Sequence, residues 1–116
     1  MSDALQEIEL KFADKTYSIR PDFQTIVAVE AGLGQSSRVL GMKCLNYDIS
    51  VSEIAAMLVI ILKDKPDAPK RDQIGDLVME YGFNDLLLPL GMFLTRAQKG
   101  HREHVKEAQA AAKANP

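Results

Sequence analysis

Apolar residues follow two rhythms along this chain. Near the N-terminus they alternate with polar ones: Ile8, Leu10 and Phe12 are separated by Glu9 and Lys11, and Tyr17 and Ile19 by Ser18. A period of two puts such side chains on one face of a strand. The two runs predict a β-hairpin with a tight turn at Asp14-Lys15, which sets Phe12 opposite Tyr17 and Leu10 opposite Ile19. A two-residue turn prefers glycine, and none is present there. An isolated hairpin is marginal in water, so this one must lay its apolar face on helices or gain a strand from a neighbour.

From Pro21 onward the rhythm is helical. Asp22 can cap a helix carrying Phe23, Ile26, Val27 and Glu30, with Gly32 and Gly34 as its stop. Ser36 or Ser37 can cap a short second helix through Val39, Leu40, Lys43 and Cys44. Ser50 and Glu53 then have capping-box spacing ahead of residues 54–62, nine apolar residues without a break. That run is far short of the ~20 residues of a membrane span. It predicts a helix over residues 51 to about 63 that is apolar nearly all round, and the other elements read as what wraps it.

Residues 63–72 form a polar connection with Pro66 and Pro69. Ile74, Leu77, Val78 and Tyr81 predict an amphipathic helix that stops at Gly82. Asn84 can cap the last helix. Its stripe is Leu87, Leu90, Leu94 and Ala97, with Phe93 beside it and Pro89 as a kink or first turn. The predicted fold class is α+β, mainly α: an N-terminal β-hairpin packed on a bundle of about five helices. One domain is expected over residues 1–100. Residues 101–116 read as a polar tail, frayed helix or disordered, since Val105 is its only large apolar residue.

Composition narrows the function classes. The chain has 116 residues, 47% hydrophobic and 26% charged, which suits one globular domain. A net charge of -2 argues against a broad nucleic-acid surface. A single cysteine cannot form an internal disulfide, and a reducing compartment fits. Neither a signal peptide nor a membrane segment is visible, so a cytoplasmic location is expected and a membrane partner is not.

Candidate chemistry is sparse. Residues 32–37 have glycines but lack the preceding strand and the lysine of a phosphate loop, so they read as a helix stop and a cap. His101 and His104 lack the further ligands of a metal site. Cys44 has no base beside it in any motif and reads as a small buried apolar residue. Glu30 interrupts an apolar stripe and reads either as a partly buried acid with a partner such as Arg38 or as a solvated edge residue. No catalytic, cofactor-binding or metal-binding residue is expected, and so no cofactor and no enzyme activity.

The order of elements resembles the tail assembly chaperone family of gene transfer agents and long-tailed phages. The similar features begin at Leu10-Lys11-Phe12, Tyr17-Ser18-Ile19-Arg20 and Phe23-x-x-Ile26. They continue through Val29-Glu30-x-x-Leu33-Gly34, the capped apolar helix and Val78-x-x-x-Gly82. They end at Leu88-Pro89-Leu90-x-x-Phe93-Leu94 and Gly100. The resemblance covers residues 7–100. Residues 63–72 are longer and more charged than that family suggests.

The resemblance implies a non-enzymatic protein. Its partners would be the tape measure protein, whose hydrophobic helices it keeps soluble, and the tail tube protein, which it recruits during assembly. It would act in the cytoplasm of the bacterial host and be absent from the mature particle. Such a role needs usable apolar surface. The leucine-rich last helix is the expected place, with Leu86, Leu87, Leu90, Met92, Phe93 and Leu94 as partner-binding residues. The competing reading is that these residues fill the core or a homo-oligomer interface. A second function class is a small helical DNA-binding regulator, with residues 36–62 as a helix-turn-helix. Residues 54–62 offer no polar or basic side chain to a groove, which weighs against it.

Overall fold

A computed structural model describes residues 7–99. The expected tail and its His101 and His104 lie outside them. Two strands and five helices follow in order: β1 (Ile8–Phe12), β2 (Lys15–Ile19), α1 (Phe23–Leu33), α2 (Ser37–Leu45), α3 (Val51–Ile61), α4 (Arg71–Tyr81) and α5 (Asn84–Lys99). The α+β hairpin-and-bundle architecture is the one predicted.

The hairpin turn sits one residue earlier than expected, at Ala13-Asp14. Both have positive φ, 52° and 65°. Two successive left-handed residues match the right-handed twist of the flanking strands, and aspartate tolerates that region well. The register is therefore Ile8 with Ile19, Leu10 with Tyr17 and Phe12 with Lys15, a slip of two from the predicted pairing. A slip of two leaves every side chain on its predicted face. Ile8, Leu10, Phe12, Tyr17 and Ile19 are all buried.

Local signals set the helix starts. The Thr25 amide donates to Asp22 Oδ1 at 2.9 Å, and the Thr25 side chain together with this amide holds the Asp22 carboxyl below its ordinary pKa. The Val39 amide donates to Ser36 Oγ at 3.1 Å. Ser50 and Glu53 form the full capping box ahead of α3. Gly34 ends α1 with φ of 66° and donates to the Glu30 carbonyl at 2.8 Å, a left-handed stop that favours glycine.

The buried faces depart from prediction in two places, and the position of Pro89 excludes one of its two expected roles. In α1 the core side is Ile26 and Val29, while Phe23 and Val27 are exposed. The segment is apolar on two faces, and the i, i+3 pair packs inward. In α2 the buried residues are Ser37, Leu40, Gly41 and Cys44, and Val39 is exposed. In the last helix Pro89 is an interior residue, five positions after the helix begins, so it does not mark the first turn. Pro89 only forfeits the bond that its amide would have made to the carbonyl of Asp85, an exposed residue.

One continuous core joins all seven elements. The wrapping is divided between two helices. The apolar α3 packs mainly between α1 and α4, whereas α5 packs between α2 and β1. The expectation that everything encloses α3 is corrected accordingly: Ala55, Ala56, Val59 and Ile60 are only half-buried. The polar connection after α3 is tied to the hairpin. Lys15 Nζ donates to the Asp67 carbonyl at 2.9 Å, and the Tyr17 hydroxyl reaches the same oxygen at 3.4 Å.

Candidate interaction surface

Glu30, Gln35, Lys43 and Glu53 are engaged in structural hydrogen bonds. The Ser37 amide donates to Glu30 Oε2 at 2.7 Å, so Glu30 steadies the start of α2, and its partner is this amide rather than Arg38. Lys43 Nζ donates to Glu53 Oε2 at 2.9 Å and to Gln35 Oε1 at 2.7 Å, while Gln35 Nε2 donates to Glu53 Oε2 at 2.6 Å. This triangle locks the α1–α2 connection and α2 to the first turn of α3. The Gln35 bond, the Ser50 amide and Lys43 together hold the Glu53 carboxyl down to about 2.

Cys44 is wholly buried, and burial, with the Glu53 charge second, pushes its thiol up to about 11. Such a thiol stays protonated at neutral pH and is a poor nucleophile. Among the described residues no cluster of His, Cys, Asp and Glu is placed to hold a metal ion, and no helix is long and apolar enough to cross a membrane.

The leucine-rich helix divides against expectation. Leu86, Leu87, Leu90, Phe93 and Leu94 lie in the core, because α5 is covered by β1 on one side and α2 on the other. A buried side chain offers a partner nothing unless the fold opens. Of the six residues expected to bind a partner, only Met92 is exposed, at 40%. Leu88, one turn before it, is 62% exposed.

Further apolar surface comes from α2, which the leucine pattern did not indicate. Val39, Met42 and Leu45 are exposed at i, i+3, i+6 spacing. Two glycines bring α2 against α5. A Cβ built on Gly91 would lie 2.6 Å from Leu45 Cδ2, and one on Gly41 would lie 2.6 Å from Thr95 Cγ2. Leu45 thus occupies the space over Gly91, beside Leu88 one turn away. As the chain runs from Gly41 to Leu45, its neighbours run from Thr95 back to Gly91, so the two helices are antiparallel. The outer side of this pair carries Met42 and Leu45 from α2 with Leu88 and Met92 from α5. Two of these four are methionines, whose flexible side chains adapt to varied partners. The spacing of Val39, Met42 and Leu45 was visible in the sequence, but which helix they would lie beside was not.

No family model, curated protein or solved structure matches this chain.

Proposed function

We propose that this chain is a tail assembly chaperone of a phage, prophage or gene transfer agent. It binds the hydrophobic helices of a tape measure protein, keeps them soluble and recruits tail tube subunits. It performs no catalysis, works in the cytoplasm of the bacterial host and leaves before the particle is finished.

The observation that carries the proposal is the apolar surface left over once the core is complete. Met42, Leu45, Leu88 and Met92 are exposed along one antiparallel helix pair, although the same two helices already supply Leu40, Cys44, Leu90, Phe93 and Leu94 to the interior. Clustered apolar side chains kept in water mark interaction sites. The family resemblance over residues 7–100 supplies the kind of partner. The DNA-binding alternative is disfavoured by packing. A recognition helix must be free to enter the groove, but Ile54, Met57, Leu58 and Ile61 of α3 are buried, and α3 packs mainly between α1 and α4.

The test combines gene context with a binding measurement. A tail tube gene before this one and a long tape measure gene after it are expected. Fluorescence anisotropy with duplex DNA at physiological salt is expected to show no binding. A location far from any phage-like cluster, together with tight DNA binding, would overturn the proposal in favour of the regulator.

A further inference from the structure

Residues 63–72 carry four bases and three acids, and along the sequence their charges nearly cancel. Folding sorts them. Between the end of α3 and the start of α4 lies a cavity of about 330 Å³. All four bases, Lys63, Lys65, Lys70 and Arg71, border it, and none of Asp64, Asp67 and Asp72 does. Lys63, Lys70 and Arg71 are exposed, and Lys65 is half-buried. Among the described residues none of the four bases is in a salt bridge. The inner wall is apolar: Leu62 and Ile74 are buried, and Val59 and Ile60 are half-buried. The connection that closes the cavity is held in place. The Lys65 amide donates to the Leu62 carbonyl at 3.0 Å, and the Ala68 amide donates to the Lys65 carbonyl at 3.1 Å. Asp67 is engaged elsewhere: its carbonyl accepts from Lys15 and Tyr17 of the hairpin, and it borders a separate hollow with them.

We propose that this cavity is a docking site for an acidic peptide segment that inserts one large apolar side chain. That side chain lies against Val59, Ile60, Leu62 and Ile74, and the carboxylates flanking it in the peptide meet the four bases. Long basic side chains lay their stems along apolar surface and keep their charged ends in water, so the same residues extend the wall and ring the mouth with positive charge. Charge complementarity selects the sign of the occupant. A basic segment would be repelled, and a segment without acids would leave the four cations unmatched. Size and charge number select a peptide. The volume is at the small end of the ~300–1,000 Å³ range of ligand pockets. A ligand with a single carboxylate would answer one cation, whereas acids on either side of an inserted residue answer several. Single-stranded nucleic acid also carries several anions, but its bases stack on aromatic rings, and no aromatic side chain among the described residues borders the cavity. None of the bordering residues belongs to the α2–α5 face, so the site is independent of the chaperone assignment.

The test titrates three short, end-capped peptides into the intact chain and follows its methyl signals by NMR. The first has a central Leu flanked on both sides by Glu, the second has Ser in place of that Leu, and the third has Gln in place of every Glu. The first is expected to bind about tenfold more tightly than either of the others and to shift the methyl signals of Val59, Ile60 and Ile74. Lys63→Gln/Lys70→Gln removes two exposed charges and is expected to weaken the first peptide about fivefold without moving the thermal midpoint. A single-stranded oligothymidylate and vesicles containing phosphatidylserine are expected to bind less tightly than the first peptide. Equal affinity for the three peptides, binding of none, shifts confined to other methyl groups, an unchanged affinity in the double variant, or tighter binding of the oligonucleotide or the vesicles would overturn the proposal.

Discussion

Gly41 of α2 and Gly91 of α5 face one another, and a Cβ built on either lies 3.5 Å from the backbone carbonyl oxygen of the other. The contact is reciprocal, but its tolerance is not. A methyl at Gly41 would press on Leu94 Cβ at 3.2 Å, an atom fixed to the backbone of α5, as well as on Thr95 Cγ2. The side-chain atoms nearest a methyl at Gly91 are Leu45 Cδ2 at 2.6 Å and Cγ at 2.7 Å, and Leu45 is partly exposed and can swing outward as a whole. Gly41→Ala is therefore expected to destabilise the fold by about 1–2 kcal/mol despite the better helix propensity of alanine. Gly91→Ala is expected to fall within about 0.5 kcal/mol of wild type. Urea denaturation of the two variants checks the order.

The Gln35–Lys43–Glu53 triangle predicts an acid limb. The folded Glu53 carboxyl sits at about 2 against an ordinary value of 4.5, so the folded state favours the ionised form. Its contribution is fully present above pH 4.5 and is lost as pH falls toward 2. Glu53→Gln is expected to remove about 1 kcal/mol at pH 7, allowing for solvent screening, and much less at pH 2. Stability measured at pH 7, 4 and 2 should show the two proteins converging. A constant difference across that range would mean that the carboxylate charge plays no part.

Ala13 takes φ of 52° in the hairpin turn, a region that costs a residue with a Cβ about 1 kcal/mol relative to glycine. Asp14 shares the strained geometry but earns its place by accepting a hydrogen bond from the Tyr81 hydroxyl at 3.0 Å, which ties the turn to the end of α4. Ala13→Gly is expected to raise stability by about 0.5 kcal/mol, the strain relief being partly offset by the entropy of the unfolded glycine. Asp14→Gly is expected to gain less, since it also loses the Tyr81 bond. Thermal midpoints of the two variants compare them directly.

What the sequence reveals divides by range. Asp22, Ser36, Ser50 with Glu53, Gly34 and Gly82 act within a turn of their own position, and each starts or stops the helix its type predicts. Hairpin faces are legible for the same reason, though the register is not, because Ala13 is an unusual turn residue. Faces that depend on distant neighbours are harder. Phe23 and Val27 lie outside and Ile26 and Val29 inside because of where α3 lies, which α1 does not encode locally. The leucines of α5 exceed a single stripe because two layers, the hairpin and α2, cover that helix. Gly41 and Gly91 lie fifty residues apart, and nothing near either announces the other. Arg96 reads as an ordinary surface charge until its burial is seen.

Co-expression with the tape measure protein that the proposed chaperone would serve tests the chaperone role most directly. The quantity is the soluble fraction of the tape measure protein with this chain present, absent, or replaced by Leu88→Ser/Met92→Ser. A large rise with the wild-type chain, lost in the double variant, is the expected result. A soluble fraction that stays the same in all three would contradict the chaperone assignment.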